Sequence, residues 1–187
     1  PESCDETVLS NIVFFFFVSE TDTENDGPYT QGSSTGLSLG PLSYSFVSDS
    51  KRKVYYDLSS NSSGGTVVEI RSQNGALQST SNPSDEIPSI ASAGELQLNT
   101  DDGAYGVRNG NVVTVSVGTL SLNTINYPTQ DDYAGSVSNS WTEVANTGGG
   151  AVTGSRAFFL VSAVGGKLTP PHDDYFDRIT VRVTATY

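Results

Sequence analysis

The sequence predicts an all-β protein, an antiparallel β-sandwich of immunoglobulin-like or jelly-roll type with Greek-key connections. Three observations carry that prediction. No stretch sustains an apolar repeat at three- and four-residue spacing, and glycine or proline interrupts almost every window long enough for a helix. Short β-branched and aromatic runs recur between turn-forming clusters, about ten in all. The segment 177–187, DRITVRVTATY, alternates strictly, with Ile179, Val181, Val183, Ala185 and Tyr187 on one side and Arg178, Thr180, Arg182, Thr184 and Thr186 on the other. A period of two with one apolar side is a strand with one face on a core and one in water.

The first element is NIVFFFFVS, residues 11–19, in which Phe14 to Phe17 are adjacent. Its apolar part, residues 12–18, is far shorter than the ~20 residues of a membrane helix. It also follows Asp5 and Glu6, where a signal peptide carries basic residues. A short Phe/Val/Ile run apolar at both parities is therefore a strand covered on both faces. A long polar loop follows, and then Leu42, Tyr44 and Phe46 alternate with Ser43 and Ser45 as a half-buried strand.

Strands at 53–58 and 66–72, separated by SSNSSGG, read as a hairpin. Short strands follow near Leu96 and Tyr105, on either side of the turn signal Asp101, Asp102, Gly103, and a longer one begins at Asn111, with Val113, Val115 and Val117 on one face. Residues 123–154 are loop-rich, with Trp141 anchoring a short strand, and 155–164, SRAFFLVSAV, is the penultimate strand. No internal repeat or linker divides the chain. Residues 1–18 are expected to form an N-terminal strand region and 19–187 a single sandwich domain.

A chain of 187 residues and 19.7 kDa fits one domain, and a net charge of −12 with lysine only at positions 51, 53 and 167 disfavours nucleic acid and anionic membrane surfaces as partners. Cys4 is the single cysteine, so no intrachain disulfide or thiolate metal framework is available. The Ser/Thr/Asn/Gly-rich remainder is the composition of an exported surface or filament protein. The absence of methionine points to a processed chain.

Several clusters carry possible chemistry. Asp22, Glu24, Asp26 and Gly27 match the first, third, fifth and sixth positions of a calcium loop, but Ser33 stands where a bidentate Glu belongs, so calcium competes here with a solvated acidic turn. His172 lies beside Asp173 and Asp174, yet one histidine without a G-x-S-x-G elbow builds neither a zinc site nor a triad, and no enzymatic activity is expected. Trp141 and the tyrosines at 29, 105, 127, 133 and 175 offer a carbohydrate platform or, alternatively, structural plugs. Asn61 opens the only N-glycosylation sequon, NSS.

YFDRITVRVTATY, the proline-rich approach GGKLTPPHDDY and the mid-chain succession VVEIRSQNGALQS then EIP resemble the terminal strand, its approach and a central strand-turn segment of pilin and spore-coat-protein-U-like subunits. The resemblance implies a structural subunit of an extracellular, cell-surface filament, built from copies of itself by donor-strand complementation and supporting adhesion or biofilm. The donor would be residues 7–18, with Val8, Ile12, Phe14, Phe16 and Val18 on one face. The acceptor groove would be lined by Ile179, Val181 and Val183. Those subunits commonly carry a cysteine pair, which Cys4 cannot make. The competing reading makes residues 11–19 the first core strand of their own domain, paired with the final strand. A monomeric cell-surface adhesin or carbohydrate-binding module, taking host or surface glycans, is the alternative function.

Overall fold

The computed structural model describes residues 12–19 and 36–186, and these contain antiparallel strands and no helix. One sheet is built on the long strand β12 (Val152–Gly165). On one side it pairs with β3 (Lys53–Ser60) and, further along, with the short β2 (Ser48–Asp49); on the other it pairs with β8 (Gly103–Thr114). β1 (Ile12–Ser19) closes this sheet by pairing with β3, from Ile12 opposite Ser60 to Ser19 opposite Lys53. The second sheet runs β14 (Ile179–Ala185), β4 (Thr66–Ser72), β11 (Thr142–Asn146), β9 (Ser121–Leu122). Beyond its end lies a small sheet of β13 (Tyr175–Phe176), β5 (Ala76–Ser79) and β6 (Glu86–Pro88), and a separate pair joins β7 (Gly94–Glu95) to β10 (Tyr133–Ala134).

The two main sheets share a lateral order. One reads β1, β3, β12, β8; the other reads β14, β4, β11, β9. At three of the four positions the counterparts are consecutive in sequence, β3 with β4, β11 with β12, and β8 with β9. Short links that change sheet hold those pairs together, which leaves β1 and β14 as the two margins on the same side. A single buried cluster fills the space between, drawing Tyr56 and Leu58 from β3, Val68 and Ile70 from β4, Val144 from β11, Tyr105 and Val107 from β8, and Phe159 and Val161 from β12.

The link between β3 and β4 therefore joins two sheets, and the expected hairpin does not form. Each strand takes its ladder bonds elsewhere, β3 from β1 and β12, β4 from β14 and β11. The corner is held by side chains. Thr66 Oγ1 donates to Ser60 Oγ at 2.7 Å, Thr147 Oγ1 accepts from Thr66 N at 2.9 Å, and Ser62 Oγ donates to Thr186 O. Gly65 turns it with φ of +88°, a left-handed conformation that favours glycine.

The expected strand at 42–46 is irregular, and Tyr44 and Phe46 are 49% and 54% exposed. Ser43 Oγ bonds both Ser45 Oγ and Ser45 N, a local pattern that competes with a ladder. The regions around Tyr105 and Asn111 are one strand, β8, which ends at Thr114 so that Val117 is exposed. Within it Gly110 lies beneath Phe158, whose ring carbons would stand 2.0 Å from any added Cβ. The final strand alternates as its sequence predicts, with Ile179, Val181, Val183 and Ala185 half-buried and Thr180, Arg182 and Thr184 exposed. Its ladder partner is β4, so the first strand, paired to β3, does not meet the last as a sheet neighbour.

Candidate functional site

Beside the margin, the side chains of Ile12 and Phe14 pack against the common cluster, the Phe14 ring 6.1 Å from that of Tyr56. Phe16 and Val18 hold the register positions opposite Tyr56 and Val54. From the facing sheet, Ile179, Val181 and Val183 abut the same cluster. Ile12 and Phe14 of the one set and Ile179, Val181 and Val183 of the other thus meet one core from opposite layers. β1 is held on one side only among the described residues, by β3, and β14 on one side only, by β4. Val8, Asp22, Glu24, Asp26, Cys4 and Tyr29 lie outside the described residues. Among those described, no three His, Cys, Asp or Glu side chains converge on a metal position, and no helix is long and apolar enough to cross a membrane.

Asn61 is exposed at the start of the β3 to β4 corner. His172 Nε2 meets Asp85 Oδ2 at 2.7 Å, and its ring stands edge-on to Tyr175. Asp174 turns the other way, accepting from Thr80 Oγ1 and Ser79 Oγ at 2.8 Å and from Ser81 N at 2.7 Å. The hydroxyls of Thr80 and Ser79 hold its carboxyl well below the usual carboxylate range. These bonds clasp the approach to the last strand onto the loop 79–85. They give His172 a structural partner and Asp173 none of that network.

Of the tyrosines expected on a platform, Tyr105 and Tyr127 are buried in the core. Burial pushes the Tyr127 hydroxyl up, and does so more strongly for Tyr105 and Tyr56. Tyr133, Tyr175 and Trp141 are half-buried, and Trp141 lies on the outer face of the β14, β4, β11 sheet. The Arg71 guanidinium carbon lies 4.7 Å from its ring centre and that of Arg182 4.3 Å. Arg182 also pairs with Glu69, opposite it in register, at 2.7 Å. On the other sheet Asp57 receives Arg156 at 2.6 and 2.8 Å, beside an open depression of about 310 Å³ lined by Ser59, Thr114 and Gly154. Arg108, nearly buried, bridges Asp49 at 2.7 Å and Asp131 at 3.0 Å, while Ser162 donates to the second oxygen of Asp49.

The residue that sequence reasoning missed is Asp177, lost within the approach to an alternating strand. It sits where the ladder between β14 and β4 breaks before β13 and β5 resume it. Its Oδ2 accepts from Ser72 Oγ and the buried Tyr105 hydroxyl, and its Oδ1 from Asn74 N and Arg178 N. An acidic residue immediately before an alternating run, where a strand must start beside a glycine turn, was the available signal.

These features define an all-β module of packed antiparallel sheets, with β1 and β14 each paired on one side only among the described residues, suited to a structural or adhesive role. No protein-family model, curated protein or solved structure matches the chain. What it does is accordingly argued from its own residues.

Proposed function

We propose that the protein is a structural subunit of an extracellular filament, of the immunoglobulin-like or jelly-roll kind, assembled head-to-tail by exchange of β1 between copies. The observation that carries this reading is the position of β1. Among the described residues it is a margin strand with one ladder partner, its Ile12 and Phe14 packed against the core, and a long polar stretch of sequence follows it. The same strand from a neighbour would make the same bonds to β3 and cover the same cluster beside Ile179, Val181 and Val183. Burying each large apolar side chain contributes about 1.5–3 kcal/mol, so several suffice for a firm contact. A heterologous contact of this type propagates and does not close. On this reading the chain performs no catalysis, and Asn61 is a glycosylation position only where the source cell has that machinery.

The test locks β1 to its own β3. Val13 and Ser59 are register partners, at a separation within disulfide reach, so V13C/S59C in a Cys4→Ser background closes the chain on itself when oxidised. Oxidised protein should stay monomeric by light scattering and show no filaments by negative-stain microscopy; reduction should restore them. Oxidised protein that polymerises as well as the reduced form, or wild-type chain that stays monomeric at every concentration, would overturn the proposal. The outer face on which Arg71 and Arg182 lie over Trp141 favours a second reading, that of a surface adhesin.

A further inference from the structure

We propose that the outer face of β14, β4 and β11 binds an acidic polysaccharide through its uronate carboxylates, with Arg71 as the principal contact. Nine basic residues serve the whole chain against twenty-one acidic ones, yet Arg71, Arg178 and Arg182 belong to this one part of the fold. Register places Arg71 opposite Thr180, and Trp141, next to the Thr142 that opposes Ile70, beside it. Arg182 is neutralised by Glu69, with Nε at 2.8 Å and Nη2 at 2.7 Å. Arg71 and Arg178 are exposed and have no carboxylate partner among the described residues.

Trp141 gives Arg71 an ordered position without consuming its hydrogen-bond donors. A guanidinium held against an aromatic ring keeps N–H groups free for a carboxylate and loses less rotamer freedom on binding. Along β14 the exposed side chains Thr180, Arg182 and Thr184 recur at alternate residues, about 6.8 Å apart, with Arg178 just before the strand. A line of guanidinium and hydroxyl donors beside an indole suits an extended polymer that offers a carboxylate and hydroxyls on each unit. Repulsion from the net charge of −12 is screened beyond about 8 Å at physiological salt, and on the face itself Arg71, Arg178 and Arg182 stand against two carboxylates, Glu69 held by Arg182 and Glu143 bonded by Asn146 Nδ2, which leaves it positive. The site deepens the adhesive reading and is independent of β1 exchange, because none of its residues lies on β1 or β3.

Calorimetric titration of the full chain with polygalacturonate tests it, with dextran as a neutral polymer and poly-glutamate as an acidic peptide. Expected are binding to polygalacturonate that weakens as salt rises, a loss of about tenfold in R71Q and more in R71Q/R178Q with unchanged melting temperatures, and little response to dextran. Oxidised V13C/S59C should bind as wild type does, which separates this site from assembly. Absence of polygalacturonate binding, or equal binding by R71Q, would overturn the proposal. Equal or tighter binding of poly-glutamate would instead assign the face to acidic peptide, and equal binding of dextran to neutral sugar.

Discussion

The hydroxyl of Tyr105, on β8 in one sheet, donates to Asp177, where the C-terminal strand of the other sheet breaks its ladder. The bond crosses the core between layers that are otherwise joined by apolar packing, by links at their edges and by Asn109 on β8, whose Nδ2 donates to Val144 O on β11 at 3.1 Å. Ser72 Oγ shares the same carboxylate oxygen and itself accepts from Gly75 N at 2.6 Å, so the turn 73–75, the break in β14 and the opposite sheet are fixed by one side chain.

Removing either partner should therefore cost more than a surface hydrogen bond. Tyr105→Phe leaves Asp177 one donor short, and Asp177→Ala strands two buried hydroxyls, of Tyr105 and Ser72, and two backbone N–H groups. We expect losses of about 1–2 kcal/mol for Tyr105→Phe and about 3 kcal/mol for Asp177→Ala by urea unfolding. Equal, small effects would mean that the bond does not couple the sheets.

Alkaline pH should destabilise the fold through its buried phenols. Tyr56, Tyr105 and Tyr127 have hydroxyls raised above the ordinary value, chiefly by burial. The folded state therefore holds their protons where the unfolded state has released them. Their contribution is intact below about pH 10 and is lost as pH rises beyond it. Tyrosinate absorbance should show these three of the nine tyrosines titrating only as the protein unfolds.

Acid acts on Asp174 with the opposite sign. Its folded carboxyl is depressed below the unfolded value, so its stabilising effect is present above about pH 4 and fades as pH falls below that. Melting temperatures measured from pH 6 to pH 2 should fall more steeply for wild type than for Asp174→Asn.

Gly110 is fixed by a close approach. Phe158 occupies the space of a Cβ, so Gly110→Ala forces that ring aside. The cost should be about 1–3 kcal/mol, and Gly110→Ala combined with Phe158→Leu should recover part of it.

Much of this fold was legible where one face meets water and the other a core, as in residues 179–185. Legibility failed where a pattern serves two geometries. SSNSSGG can close a hairpin or carry the chain between sheets, and only the ladder partners of Thr66–Ser72, distant in sequence, decide between them. Leu42, Tyr44 and Phe46 alternate as a strand does, but Ser43 and Ser45 satisfy one another locally. Gly106 and Gly110 made β8 look like two strands, one at Tyr105 and one from Asn111, although Gly110 is where Phe158 lies against a single strand. Tyr105 and Tyr127 looked like loop aromatics because a phenol in a core needs its neighbourhood to explain it; for Tyr105 that is Asp177, seventy-two residues away. The Arg71, Trp141, Arg182 group is equally remote in sequence, spread over three strands.

The shared lateral order of the two sheets also bears on how fast the chain acquires its shape. Links that change sheet form no ladder of their own, so β3 and β4, though consecutive, do not pair: β3 finds β1 behind it and waits for β12, and β4 has no partner until β11 and β14 arrive. Few pairings are local, and loop-closure entropy must be met before most contacts form. A ribosome would finish most of the described chain before β4 gained a ladder neighbour and β3 its second. Refolding from urea should correspondingly take on the order of seconds and not milliseconds, leaving an interval in which a half-formed subunit can meet another copy.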